Sequence, residues 1–246
     1  MFEDRAVAFL DILGFKQLIV EAEKAPSGLN KLLVLKTVLE SHVKFDNSGL
    51  DSSVPVTVHP KYIFISDSII FSAPLKSGKY DGLDIVVTKC IQVAQKVMEA
   101  GHLIRGGISV GKVWHEQGSN GSNIFGSGYI DAYLTEQSAK HPCILLSEPA
   151  AELWKNQSRS VPSLCVGDKK LMVDVLHAGY LPTNAAQLPF EEFFDPLRVH
   201  IEASLRNLQL GSDARAKWEW MAGFFNDALV RHEISTKRFS SLPLPD

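Results

Sequence analysis

The chain is poor in the residues that staple small proteins. Of its 246 residues only three are cysteine (Cys90, Cys143 and Cys165), an odd number with no CxxC spacing. This excludes a disulfide framework and a cysteine-based zinc site, and it points to a reducing cytoplasm. Charge of one sign is also lacking, since 25 Lys and Arg against 28 Asp and Glu leave a formal charge of −3. No broad cationic field exists for nucleic acid or an anionic membrane surface, so any polyanion must be held by a local site. Long apolar runs are missing: at a mean hydropathy of +0.01, none approaches the roughly 18–20 residues of a bilayer span. The start, Met1-Phe2-Glu3-Asp4-Arg5, is acidic where a signal peptide is basic. The eight histidines show no HExxH or paired spacing. Ser66 and Ser68 lack the GxSxG elbow of a serine hydrolase. The expectation is a soluble cytoplasmic protein, long enough to bury its core unaided.

What is present is an ordered series of apolar segments. Arg5 to Gly14 reads as a buried strand turning into a helix over Phe15–Lys24, which Pro26-Ser27-Gly28 breaks. A second helix follows over Leu29–Phe45. Val54 to His59 alternates as a strand does, and Tyr62 to Ser72 reads as a hairpin with Asp67 near its tip. Leu83–Ala100 is a helix stopped by Gly101. Leu103–Trp114 is a strand interrupted by Gly106, Gly107 and Gly111, Gly118–Gly128 reads as a loop, and Tyr129–Ala139 as a helix. A short strand at Cys143–Leu146, a short helix at Pro149–Trp154 and a hairpin around Gly167-Asp168 complete this part. The order is β-α-α-β-β-α-β-α-β-α-β-β, with too many strands for a wound parallel sheet. An α+β class with a mixed, mostly antiparallel sheet and helices on one face is expected. Beyond it come a linker at Tyr180–Pro189, two helices near 189–208 and 213–232, and a frayed tail from Leu242. Trp218, Trp220, Phe224 and Phe225 read as core or interface aromatics.

Two carboxylates stand among apolar neighbours. Asp11 ends the first strand, and Asp67 lies among Ile63, Phe64, Ile65, Ile69 and Ile70. Burying them is costly unless they are paired or hold a cation. Either each caps a turn, or the two converge as oxygen ligands for a cation that also takes phosphate oxygens. The turn after Asp11 opens a helix at Gly14-Phe15-Lys16, where free N–H groups and the helix dipole favour an anion. Arg105 lies in a glycine-rich strand otherwise poor in charge. It either forms a buried ion pair or reaches an anionic ligand, and the glycines call for something packed closely on that strand.

In order, these motifs resemble the class III nucleotidyl cyclase catalytic domain. Phe9-Leu-Asp-Ile-Leu-Gly-Phe15 is similar to the family's F-x-D-I-x-G-F, and Ile65-Ser-Asp-Ser68 to its I-G-D-S turn. Ile104-Arg-Gly-Gly-Ile-Ser-Val-Gly111 resembles R-x-G-I-x-x-G, and Ile124-Phe-Gly126 stands where I-W-G precedes a helix. The resemblance implies a ferredoxin-like class III cyclase fold over residues 1–177, with 178–246 as a helical C-terminal extension packed on it. It implies two divalent cations, Mn²⁺ or Mg²⁺, held by Asp11, Asp67 and the Ile12 carbonyl. Backbone groups of Leu13, Gly14, Phe15 and Lys16, with Arg105, would hold the β- and γ-phosphates of a nucleoside triphosphate. A homodimer with sites at its interface follows from the same resemblance.

The departures sharpen the expectation. Purine cyclases read adenine with a Lys and an Asp where this chain has Ile63 and Asn123, and guanine-reading residues do not match either. The family's transition-state Asn and Arg fall at Ile130 and Leu134. Tyr129, Tyr133 or Lys169 would have to replace them, or the site is silent. A stand-alone cyclase domain of this kind resembles the pyrimidine cyclases of Pycsar antiphage defence, which make cyclic UMP or cyclic CMP for a separate effector. UTP is preferred over CTP, although Asn123 serves either base edge. An adenylate cyclase with an unusual base pocket, and a catalytically silent cyclase-fold domain, are the alternatives.

Overall fold

In the computed structural model, which describes residues 1–43, 59–78, 80–118, 121–156, 163–166, 170–177 and 191–231, the first apolar run forms β1 (Glu3–Leu13). Two helices follow, α1 (Phe15–Lys24) and α2 (Pro26–Val43), then strands β2 (Lys61–Ile65) and β3 (Ser68–Pro74). A small ladder, β4 (Lys76–Ser77) with β5 (Tyr80–Asp81), leads into α3 (Gly82–Glu99). Next come β6 (Leu103–Gly118), β7 (Gly121–Phe125), α4 (Ser127–Ser138), β8 (Ile144–Leu146) and α5 (Glu148–Lys155). Strands β9 (Ser163–Val166) and β10 (Lys170–Val173) and helices α6 (Glu191–Asn207) and α7 (Asp213–Arg231) end the described chain.

The sheet runs β2-β3-β1-β6-β8-β10-β9, with β7 also paired to β6. Every ladder is antiparallel except β6 with β8. The α+β class with a mixed, mostly antiparallel sheet is therefore as expected. β1 is central because both of its faces are apolar. Ala6, Ala8, Leu10 and Ile12 join one buried cluster with α3, and Val7 and Phe9 join another with Ile70, Val113 and Ala132. Strand alternation alone sends these sets to opposite faces.

Helices consequently cover both faces, not one. α4 lies across the second face, and the glycines of β6 explain how it fits. A Cβ on Gly107 would stand 2.2 Å from the Ala132 carbonyl oxygen, and one on Gly111 would stand 2.9 Å from the Gly128 nitrogen. The expected close packing on this strand is thus α4 itself.

Three other boundaries differ from expectation. The α1–α2 break is at Ala25, and Pro26 opens α2 instead of breaking a helix, because proline suits a first turn whose N–H is unpaired anyway. The middle of the segment read as a loop at Gly118–Gly128 is β7, paired from Phe125 opposite Trp114 to Gly121 opposite Gly118. Its Gly, Ser and Asn composition hides a ladder fastened by the Trp114–Phe125 stack at 5.4 Å. The β4–β5 ladder had no signal of its own. All but His59 of the expected strand at Val54–His59, the hairpin tip at Gly167-Asp168, the linker at 180–189 and the tail lie outside the described residues.

α6 and α7 contribute Phe194, Leu197, Ile201, Met221 and Phe225 to the same cluster as α3 and the sheet. Trp218 and Trp220 pack against it, as expected of core aromatics. Polar contacts fasten the junction. Arg231 reaches the buried Asp174 at 3.3 Å, and the Gln95 side chain donates to the Val175 carbonyl at 3.0 Å.

Candidate active site

Register places the first aspartate. Asp11 stands opposite Ser68 of β3 and opposite Arg105 of β6. Being odd-numbered in β1, it shares the face of Val7 and Phe9, the face on which α4 lies. The second aspartate arrives through the β2–β3 turn, Ser66-Asp67, in which Ser66 takes a left-handed φ of +58°. That turn is tied to β1 because the Ile12 N–H donates to the Asp67 carbonyl at 3.1 Å. The two carboxyl groups are thereby brought within hydrogen-bonding contact, and the Asp11 carboxyl is pushed up to about 6. Burial is the main cause, followed by the negative charges of Asp67 and Glu136, with Arg105 opposing. Two acids forced together share protons in the absence of a cation and release them to one.

Arg105 is committed to neighbours. Its guanidinium is bonded to Glu136 at 2.5 Å, donates to the Ala139 carbonyl at 3.3 Å and lies 3.6 Å from Asp11. Of the two readings open for this residue, the structure shows the ion pair. Glu136 is fully buried and was missed at the sequence level. Its signal was the spacing Gly128–Ala132–Glu136, which places it on the helix stripe that meets Gly107 and Gly111.

The start of α1 is open to an anion. Gly14, at φ +81°, provides no side-chain cap, and the first turn holds no acidic residue. Gly14 O accepts from the Gln17 and Leu18 N–H groups, whereas the Phe15 and Lys16 N–H groups have no acceptor among the described residues. Leu13 and Phe15 pack partly into the core, while Lys16 is exposed.

The other candidates separate. Ile63 is buried with Phe9, Ile70 and Val113, so it contributes apolar surface only. Asn123 is exposed on β7, opposite Glu116. Tyr129 and Tyr133 both rest on the Phe9 ring, with centroids at 6.2 and 5.3 Å. That seat is two residues from Asp11 on the same sheet face. Ile130 and Leu134 are each more than half exposed. Lys169 lies outside the described residues.

Among the described residues no group of three or more His, Cys, Asp or Glu side chains could hold a metal ion. Two carboxylates are still a fitting donor set for Mg²⁺ or Mn²⁺, which retain water and take substrate phosphates as further ligands. The contact between Asp11 and Asp67, with Asp11 raised toward neutrality, is the electrostatic condition that a cation relieves.

No protein-family model matches this sequence, and no curated protein matches it. Among solved structures the chain is similar to the adenylyl cyclase CyaB from P. aeruginosa, at 15% identity over 70% of this chain and 93% of that one, with a TM-score of 0.45. It is similar to the guanylate cyclase domain of RhGC from Catenaria anguillulae in complex with GTP, at 15% identity over 69% and 93%, with a TM-score of 0.45. It is also similar to the guanylyl cyclase Cya2, at 10% identity over 70% and 91%, with a TM-score of 0.42. No helix among the described residues is long and apolar enough to cross a membrane.

Proposed function

We propose that the protein is a nucleotidyl cyclase, converting a nucleoside triphosphate into its 3′,5′-cyclic monophosphate and pyrophosphate. Within that class we assign it to the pyrimidine cyclases, with UTP favoured over CTP. The observation that carries the class is the Asp11–Asp67 pair, held in contact at one end of the sheet beside an uncapped helix start.

Two divalent cations, Mn²⁺ or Mg²⁺, held by Asp11, Asp67 and the Ile12 carbonyl, would activate the ribose 3′-oxygen and neutralise charge on the α-phosphate. The chain's own groups do the rest. The unpaired N–H groups of Phe15 and Lys16 point a helix dipole at the β- and γ-phosphates, and Gly14 lets the backbone approach them. Arg105, anchored by Glu136, fixes Asp11 and supplies positive charge at the phosphate end. Tyr129 and Tyr133, braced on Phe9, offer hydroxyl groups near the reacting centre. The pyrimidine assignment rests on Ile63, which carries no charge for a purine edge, on Asn123, and on the resemblance to the Pycsar cyclases. A homodimer with sites at its interface, an antiphage role and a separate cyclic-nucleotide-gated effector belong to the same reading.

One observation favours a silent nucleotide-binding domain instead. The positions expected to stabilise the transition state, Ile130 and Leu134, carry apolar side chains. Incubating the protein with each of the four triphosphates and Mn²⁺, then resolving products, separates the readings. Cyclic UMP or cyclic CMP is the expected product, lost in Asp11→Asn and in Asp67→Asn. Cyclic AMP would move the assignment to an adenylate cyclase, and no turnover by folded dimer would leave the silent domain.

A further inference from the structure

We propose that a cavity between α1–α2 and the C-terminal helices is a second ligand site, for a phosphate-bearing organic molecule of nucleotide size. The cavity has a volume of about 950 Å³ and is walled by α1 and α2, the α3–β6 turn, α6 and α7. That volume is at the upper end of small-molecule sites. Leu13 and Gly14 of the β1–α1 turn line it, so it adjoins the proposed triphosphate site. Asp11, Asp67 and Arg105 do not line it, and the basic groups that carry this proposal take no part in the cyclase reading.

Its basic groups come from four elements. Lys31 lies on α2, His102 in the α3–β6 turn, His200 on α6 and Lys217 on α7. His200 is held in place: its Nε2 is 3.1 Å from the Glu99 carbonyl oxygen, and its ring lies so near Gly101 that a Cβ there would be 3.0 Å from Nδ1. The His102 ring makes no hydrogen bond among the described residues. Burial, then the charges of His200 and Lys31, hold its imidazolium below the ordinary range. His200 and Lys31 thus disfavour a positive charge on His102 across the wall they share. Two carboxylates line the cavity, Glu21 and Asp213. Glu21 is engaged by Lys31 at 3.3 Å and Gln17 at 3.2 Å, while Asp213 sits in the first turn of α7, where the helix dipole favours it. Lys217 has no ion-pair partner among the described residues.

A phosphate group at His102, His200 and Lys31 would offset that effect and accept charge-assisted hydrogen bonds. Phosphate alone fills a small part of this volume. The remaining lining includes the amides of Asn30 and Asn207 and the indole of Trp218, donors, acceptors and a ring face suited to a polar heterocycle.

The test follows the C2–H resonances of His102 and His200 by NMR in the full chain during titration with adenosine 5′-monophosphate, inorganic phosphate and adenosine. The monophosphate is expected to shift both resonances in a saturable way and to raise the apparent pKa of His102. Inorganic phosphate should act more weakly, and adenosine should have little effect. Lys31→Gln and Lys217→Gln, each with an otherwise unchanged spectrum, should each weaken the monophosphate about tenfold, the loss of one charge-assisted contact. No shift at millimolar monophosphate, an equal response to inorganic phosphate, or unchanged affinity in both variants would overturn the proposal.

Discussion

Asp11 links stability to the proposed chemistry at the scale of one residue. An unfolded chain releases this proton near the ordinary carboxylate value, whereas the folded protein keeps it up to about pH 6. The folded state therefore binds more protons between about pH 4 and 6, and stability falls as pH rises through that window. Asp11→Asn removes the penalty. The variant should be more stable than the parent by roughly 1–3 kcal/mol at pH 7.5, with the difference vanishing near pH 4. Urea melts at the two pH values measure this, and a pH-independent difference would show that another group titrates. The same variant should make no cyclic nucleotide, so stability and activity would move in opposite directions. Asp11 and Asp67 were legible in the sequence because each interrupts an apolar run. Glu136 was not, because an acidic residue in Thr135-Glu136-Gln137-Ser138 reads as a solvated helix face. Only the missing side chain of Gly107, distant in sequence but adjacent in space, brings that helix stripe onto the sheet.

At the scale of elements, the contact between α4 and β6 is where the fold governs the site. Gly107→Ala would place a methyl group 2.2 Å from the Ala132 carbonyl oxygen and 2.4 Å from the Glu136 nitrogen, both backbone atoms. The helix must move as a body, at a cost of about 1–3 kcal/mol or more. Because α4 carries Glu136, the clamp on Arg105 and Asp11 should loosen, and turnover should fall further than the melting temperature implies. Gly223→Ala is the counterpart. It lies in α7 with nothing within 4 Å of the added Cβ, so the helix should gain about 0.5–1 kcal/mol. Thermal melts of the two variants should shift in opposite directions, and destabilisation by both would put the packing of α7 in error. Most elements were readable from apolar period and turn residues, since β1, the β2–β3 hairpin, α3 and β6 each follow a single local pattern. β7 escaped because its support is not local: a run of Gly, Ser and Asn becomes a strand when Trp114 stacks on Phe125.

For the whole molecule, the exposed side of α4 bears on assembly. Gly128, Ala132 and Glu136 turn inward, which leaves Ile130 and Leu134 exposed on the other side of the helix, with Tyr133 partly exposed at the edge where it meets Phe9. The neighbouring Trp114–Phe125 stack is also partly open, at 38% and 49%. Apolar side chains grouped in this way on a surface mark an interface more often than scattered ones do. In the proposed homodimer a two-fold axis would bring this surface of one protomer onto the other, so each substitution acts twice. Leu134→Glu buries no charge in the isolated chain, because the side chain is more than half exposed. Its melting temperature, taken at a concentration where the parent is monomeric, should match the parent's. At micromolar concentration it should run as a monomer by light scattering where the parent is a dimer, and its cyclic-nucleotide synthesis should be lost. A parent that is monomeric at every concentration would remove the dimer from the reading. A variant that stays dimeric would place the interface elsewhere. If synthesis survived in a monomeric variant, the site at Asp11 and Asp67 would be complete within one chain, and Tyr129 and Tyr133, seated on the same Phe9 ring, would be its own hydroxyl donors.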